Sequence, residues 1–137
     1  MSETTATTMR CVIVTPEETV LDTEADFVAV PLFDGEAGIA RQHSAMIGRL
    51  GFGELRISKG AETSRYYVDG GFVQVVDDVV SVLTNRSLEA EKVDGAAAQE
   101  LLEAANHRQA AGEEQIALRE RLQAQARGQL HVARLSQ

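Results

Sequence analysis

The chain has 137 residues, a net charge of −8, 44% hydrophobic residues and 25% charged residues. This length and composition are typical of a soluble globular protein with one domain, or one domain and an appendage. The acidic balance argues against a nucleic acid or an anionic membrane as the general partner, and a single cysteine, Cys11, excludes a disulfide framework.

The first part of the chain is predicted to consist of short strands. Residues 1–9 are polar and are expected to form a disordered leader, and no apolar run approaches the ~20 residues that span a bilayer, so we expect no direct membrane insertion. Apolar segments separated by turn-forming residues predict strands at 10–14, 19–22, 25–32, 45–50 and 53–58. Residues 33–39 contain Asp34-Gly35 and Gly38, which predict a loop or tight turn. Strands at this spacing indicate an antiparallel β-sandwich over residues 10–87.

The stretch 66–84 is predicted to be a β-hairpin closed by a two-residue turn at Asp77-Asp78. That turn would place Val73 opposite Val82, and Val75 opposite Val80. Because side chains alternate across a strand, these four valines would share one face, which we expect to be buried. The other face carries polar residues as well as apolar ones and is expected to be covered only in part. Gly70-Gly71, just before the hairpin, indicates a bulge or a close backbone approach.

The composition changes after Leu88, and residues 88–137 are predicted to form an α-helical hairpin. Asp94 can cap a first helix over about 95–108, Gly112 separates the helices, and a second helix is expected over about 113–134. The apolar positions expected to share a face are Ala97, Leu101, Ala104 and Ala105 in the first helix, and Leu118, Leu122, Ala126 and Leu130 in the second. Both stripes are narrow and rich in alanine. The predicted fold class is therefore α+β, an antiparallel sandwich followed by a helical hairpin.

The sequence offers no set of residues for catalysis, for a metal or for a cofactor. No histidine has a partner at a zinc spacing, and no Ser-His-Asp or Cys-His set is indicated. Two other features are unusual. One is the segment 34–43, elaborate for a turn in a small sandwich. The other is a series of arginines in an acidic protein, which suggests a partner that carries carboxylates. Each has an equally plausible structural explanation, a plain turn and a solvated helix face.

Several short motifs in the same order, covering nearly the whole chain from Arg10, resemble the epsilon subunit of F-type ATP synthase. They are Gly35-Glu36-Ala37-Gly38-Ile39, His43, Gly53-Glu54-Leu55-Arg56-Ile57, Tyr67-Val68-Asp69-Gly70-Gly71-Phe72 and Val79-Val80-Ser81-Val82-Leu83.

The resemblance implies a non-catalytic rotor subunit of the central stalk, without an active site of its own. It would couple the catalytic head to the membrane ring for proton-driven ATP synthesis, as a peripheral protein at the cytoplasmic face of the cell membrane. The sandwich would pack on the gamma subunit, and one loop would face the ring of c subunits. That loop corresponds here to Asp34, Gly35, Glu36, Gly38, Ile39 and His43.

The resemblance also implies a regulatory role for the helical hairpin. The hairpin would fold down on the sandwich, or extend along gamma into the alpha/beta head and inhibit ATP hydrolysis. The arginines expected to meet acidic residues of the head are Arg119, Arg121, Arg127 and Arg134.

Departures from the family pattern bear on ligand binding and on the loop. Some family members bind ATP through Leu/Ile-Asp-x-x-Arg-Ala, but here Ala97 occupies the arginine position after Asp94, so we expect weak ATP binding or none. Arg41 and Ala45 replace prolines that usually flank the family's histidine, which implies a less rigid loop.

A stand-alone ligand- or nucleotide-binding sandwich is the alternative function. The coupling ion, H⁺ or Na⁺, is not encoded in this chain.

Overall fold

The structure is a computed structural model that describes residues 9–135. These residues form two five-stranded sheets followed by two helices, which confirms the predicted fold class. The strands are β1 (Met9–Val14), β2 (Thr19–Ala25), β3 (Phe27–Leu32), β4 (Gly35–Ala40), β5 (Met46–Arg49), β6 (Phe52–Lys59), β7 (Glu62–Asp69), β8 (Phe72–Val76), β9 (Val79–Leu83) and β10 (Ser87–Glu89). A 3₁₀ turn at Ala90–Lys92 leads to the helices α1 (Gly95–Asn106) and α2 (Glu113–Leu135).

The two sheets enclose one apolar core. Sheet I has the strand order β2-β1-β9-β8-β5, and sheet II has the order β10-β7-β6-β3-β4. Nearly all the strand pairs are antiparallel, as predicted, but β1 and β9 run parallel to each other. A strictly antiparallel sandwich was therefore too simple an expectation, because strand direction between distant segments is set by topology rather than by local pattern.

The β8–β9 hairpin has the predicted register. Val73 lies opposite Val82 and Val75 opposite Val80, and all four valines are buried between the sheets. Asp77 and Asp78 adopt φ values of 48° and 62°, the left-handed values that a two-residue type I′ turn requires. The outer face of the hairpin stays largely exposed, also as predicted.

The predicted hairpin segment 66–84 began too early, because its first residues belong to β7 in the other sheet. The chain crosses from sheet II to sheet I at Gly70 and Gly71, both of which have positive φ. A Cβ atom on Gly71 would lie 1.9 Å from the carbonyl oxygen of Leu83, so the crossing depends on a close backbone approach. The expectation of a bulge or close approach at this pair was correct.

The segment predicted as a loop, residues 33–39, is mostly a strand. Only Phe33 and Asp34 form the turn, and β4 then pairs along β3 from Gly35↔Leu32 to Ala40↔Phe27. The glycines suggested a loop, but Gly38 lies under the ring of Phe27, where a Cβ atom would be 2.7 Å from the nearest ring carbon. Gly38 is therefore explained by tertiary packing rather than by a turn.

The predicted domain boundaries shift slightly. Met9, assigned to the leader, is buried in β1 and pairs with Ala25; residues 1–8 lie outside the described residues. The sandwich does not end at residue 87, because β10 continues to Glu89 and pairs with β7. The first helix ends at Asn106 rather than at residue 108, and the second runs one residue beyond its expected end.

The helices form an antiparallel pair in which the predicted apolar stripes are only partly correct. Asp94 caps α1 as expected, since its carboxylate accepts a hydrogen bond from the Ala97 N–H at 3.1 Å. The stripe predicted for α1 is correct only at Ala105, which is buried: Leu101 is 55% exposed, and the other buried residue of the helix is Ala98, which the stripe did not include. With so many alanines, periodicity alone does not fix which side of the helix is covered.

Helix α2 lies across sheet II, mainly over β6 and β7. Burial along it is uneven, since the predicted stripe is exposed at Leu118 and buried at Ala126 and Leu130. Gly128 and Val132 are also buried, on a second face that the stripe did not include. The hairpin is thus docked on the sandwich through the C-terminal half of α2. Neither described helix is long and apolar enough to cross a membrane.

Candidate functional site

The segment predicted as one loop, 34–43, is divided between two ends of the sandwich. Asp34 lies in the β3–β4 turn, whereas His43 follows the other end of β4. Six strand residues at ~3.3 Å each separate the two ends by roughly 20 Å. The segment was predicted to form a single interface with a membrane ring. Its residues instead lie at two separate sites on the surface.

At the first end, an ion-pair cluster fixes Glu36. Its carboxylate receives two hydrogen bonds from Arg56, at 3.1 and 3.2 Å. Arg56 also contacts Glu54 at 3.4 Å, and these carboxylates, Glu36 foremost, raise the pKa of the guanidinium above its ordinary value. The second carboxylate oxygen of Glu54 is buried without a hydrogen-bond partner among the described residues. Glu36 is half exposed, and Arg56 holds it in a defined direction.

Two of the predicted interface residues cannot present a side chain to a partner. Ile39 is fully buried in the sandwich core, because its side chain points to the inner face of β4. Gly38 lies beneath Phe27. The accessible acidic groups at this end are therefore Asp34 and Glu36, on either side of Gly35.

At the second end, His43 is half-buried and close to the turn of the β8–β9 hairpin. Its Nδ1 lies 2.7 Å from the Ser44 carbonyl oxygen, and the neighbouring Gln42 N–H donates to the Asp78 carboxylate at 2.5 Å. Gln42 has a φ of 66°, a value that non-glycine residues adopt uncommonly. His43 thus lies in a turn that is hydrogen-bonded to the β8–β9 hairpin through Gln42.

The outer face of sheet I is an apolar surface that the sequence indicated only in part. Phe72 is 58% exposed and lies opposite Leu83, which is 49% exposed. On the adjacent strand β5, Ile47 pairs with Gln74, whose side chain is on the same face as that of Phe72, and Ile47 is 76% exposed. Large apolar side chains this exposed and this close together mark interaction sites more often than bare solvent-facing surface. We call this surface the sheet I face.

A groove continues from the sheet I face to the hairpin. It has a volume of about 1170 Å³ and is lined by Phe33, Phe52 and Phe72 from the sandwich. Arg49, whose guanidinium lies 4.3 Å from the centre of the Phe33 ring, forms part of its rim. Arg121 on α2 lines the opposite wall. Part of this groove therefore exists only while the hairpin is docked.

The four arginines of α2 do not share one face. At 100° per residue, Arg119, Arg127 and Arg134 fall within a sector of roughly 80°, whereas Arg121 points toward the groove. Arg127 and Arg134 are exposed and Arg119 is half-buried. None of the four forms an ion pair with another described residue. The helix thus carries a positive edge that is not neutralised within the described chain.

The described residues contain no group of three or more side chains arranged to hold a metal ion. Cys11 is buried in the core, and this burial raises the pKa of its thiol to about 12. A thiol in that state is a poor nucleophile at neutral pH.

Comparison with known proteins identifies the family. The family model of the ATP synthase delta/epsilon chain β-sandwich domain matches residues 8–90. An ATP synthase epsilon chain of Rhodopirellula baltica is 48% identical over 126 residues, which covers 92% of this chain and 98% of that protein. The chain belongs to the ATP synthase epsilon-chain family.

A further member of the epsilon-chain family and two solved structures are also similar to this chain. An epsilon chain of Desulforudis audaxviator is 41% identical over 76% of each chain. A chain in the mitochondrial ATP synthase of Euglena gracilis has the same fold, with a TM-score of 0.82 at 21% identity, over 98% of this chain and 86% of that one. A chain in the Tetrahymena thermophila central stalk and c-ring structure gives a TM-score of 0.72 at 15% identity, over 91% and 96%. At these identities the two structures support the fold.

Proposed function

We propose that this chain is a non-catalytic rotor subunit in the central stalk of an F-type ATP synthase. It joins the gamma subunit to the membrane ring during proton-driven ATP synthesis, at the cytoplasmic face of the cell membrane, and its hairpin inhibits ATP hydrolysis. The observation that carries the proposal is the sheet I face, an exposed apolar surface on a member of the epsilon-chain family.

The sheet I face is the proposed contact with gamma. Phe72 and Leu83 form its centre, and Ile47 extends it. These three side chains form an apolar patch like the centre of a typical protein interface. Arg49 lies at its rim, and arginine is enriched at such interfaces. Covering this face would remove these exposed apolar side chains from water.

The acidic turn at Asp34 and Glu36 is the proposed contact with the ring of c subunits. Arg56 restrains Glu36, so little side-chain entropy is lost when a partner binds it. A cysteine at Glu36 should cross-link to the polar loop of a ring subunit. A cysteine at the exposed Ser44, beside His43 at the other end of the sandwich, is the matched control. Equal cross-linking from both positions, or cross-linking from Glu36 to the catalytic head, would overturn this assignment.

The positive edge of α2 is the proposed inhibitory element. When the hairpin extends, Arg119, Arg127 and Arg134 would meet acidic residues of the alpha/beta head. Arg121 leaves the groove in the same movement. Exposed ion pairs contribute only ~0–1 kcal/mol each, so inhibition would depend on several acting together.

The alternative is a free ligand- or nucleotide-binding module. The surface depression beside Asp94 is lined by Arg134, which offers a single cation to a phosphate in place of the arginine that Ala97 replaces. Affinity purification of the tagged chain from its own cells discriminates the two functions. The rotor function predicts recovery of the alpha, beta and gamma subunits in stoichiometric amounts, whereas a free monomer would support the ligand-binding module.

A further inference from the structure

Helix α2 approaches the backbone of the sandwich closely at Gly128. A Cβ atom at this position would lie 2.5 Å from the Phe52 carbonyl oxygen and 2.9 Å from its carbonyl carbon. These are backbone atoms of β6, which cannot move aside as a flexible side chain can. Any residue larger than glycine would therefore push α2 away from sheet II. Glycine inside a helix costs about 1 kcal/mol relative to alanine, so its presence here favours docking at the expense of the isolated helix.

One polar contact lies beside this position. Asp69 is only 8% exposed, and its Oδ1 accepts hydrogen bonds from the Tyr67 hydroxyl and from the Gln125 side-chain amide, each at 2.7 Å. Burial and the bond to Asp69 together raise the pKa of the Tyr67 hydroxyl. The Asp69–Tyr67 pair lies within the sandwich, whereas Gln125 belongs to α2. Gln125 thus donates a hydrogen bond from the hairpin to a nearly buried carboxylate of the sandwich, and Gln129 of the same helix bonds to the adjacent Tyr67 hydroxyl.

The surface beneath α2 is therefore polar as well as apolar. Asp69, Tyr67 and Glu54 can all be hydrated once the helix has left, because each carries a group that binds water. When the helix leaves, the Asp69 carboxylate keeps its hydrogen bond from Tyr67, and water replaces Gln125. Releasing this contact costs less free energy than exposing an apolar face to water. Such a contact suits a helix that docks reversibly.

We propose that Gly128 and the Gln125–Asp69 hydrogen bond form a latch that sets the fraction of the chain whose hairpin is docked. Gly128 determines how closely α2 approaches β6, and the hydrogen bond determines its position along the sheet. The latch is a property of the free chain. Its consequence, control of how readily the inhibitory hairpin extends, rests on the proposed function.

Docking can be measured by cross-linking the full-length chain. Arg65 on β7 lies next to the end of α2, its guanidinium 3.5 Å from the Leu135 carbonyl oxygen. Cysteines at Arg65 and Leu135 should be joined by a short bis-maleimide only in the docked state. The native Cys11 stays silent because it is buried.

The variants change the latch and leave the rest of α2 intact. Gln125→Glu places a second carboxylate against Asp69, and Gly128→Ala adds the clashing Cβ atom. We expect each to lower the equilibrium constant for docking at least about tenfold, which corresponds to ~1.4 kcal/mol, and to slow cross-linking by the resulting fall in the docked fraction. Helicity by circular dichroism should be retained, since alanine is the better helix former. The double variant Asp69→Asn/Gln125→Glu should recover the wild-type rate within about twofold, because the asparagine amide can donate to the new glutamate.

The matched control is Gln123→Glu, the same change of charge two residues before Gln125 in α2. Gln123 bonds to Asn106 in α1 at 3.0 Å, and that amide can turn to donate instead. Its cross-linking rate should stay within about twofold of wild type. Wild-type rates for Gln125→Glu and Gly128→Ala, an equal loss for Gln123→Glu, or no recovery in the double variant would overturn the latch. Because the assay uses the free chain, these results are independent of whether the hairpin inhibits hydrolysis.

Discussion

Replacing Phe72 with alanine tests the proposed gamma contact. The side chain is 58% exposed, and a phenylalanine presents ~200 Å² in all, so a partner that covers it removes roughly 115 Å² from water. At ~25 cal/mol per Å² this amounts to about 3 kcal/mol, of which the alanine Cβ retains a part. We expect a loss of ~2 kcal/mol, or roughly thirtyfold in Kd.

The assay is binding of the chain to ATP synthase head complexes that contain gamma but lack this subunit. Leu101→Ala is the matched control, because Leu101 is 55% exposed but lies on α1, away from the sheet I face. Thermal unfolding should show that neither change destabilises the fold, since both side chains are largely in water. A wild-type Kd for Phe72→Ala, or an equal loss for Leu101→Ala, would refute the assignment of this face.

Three further predictions concern ligand binding, inhibition and thiol chemistry. Titration calorimetry should detect no micromolar ATP binding, because Ala97 removes a charge-assisted contact of ~1.5–3 kcal/mol, roughly ten- to hundredfold in affinity; micromolar binding would contradict this. Changing Arg119, Arg127 and Arg134 together to Glu should relieve inhibition of ATP hydrolysis while assembly and synthesis persist, and wild-type inhibition should weaken with salt; an unchanged hydrolysis rate at low salt would exclude the arginine mechanism. Cys11, whose thiol has a pKa of about 12, should be inert to a disulfide reagent at pH 8 until the chain is unfolded; rapid reaction of the native chain would show that the core opens.

The β8–β9 hairpin could be predicted residue by residue because its information is local. A period of two and a two-residue turn together fix both the register and the buried face. The same reasoning failed at Gly38, where the glycine is explained by the ring of Phe27, which belongs to a neighbouring strand. It also could not give the parallel pairing of β1 with β9, since that depends on how segments far apart in sequence meet.

The functional surfaces were predictable to different degrees. The motif around Glu36 predicted one loop over residues 34–43, but only the structure shows that Ile39 is core and that His43 lies at the other end of β4. The stripe on α1 was misplaced because alanine, small and only weakly apolar, marks no face clearly. Gly128 carried no signal at all, since its role arises from the backbone of β6 directly beneath it.

The most direct test of the central claim is the ATPase activity of the purified complex with and without residues 91–137. This truncation keeps β10, which pairs with β7, and therefore leaves the sandwich intact. If the hairpin inhibits hydrolysis, the truncated chain should still assemble with the complex and ATP hydrolysis should become faster. A gel of the purified complex should show that the truncated chain is present. If it is present and the two complexes hydrolyse ATP at equal rates, the hairpin does not inhibit hydrolysis.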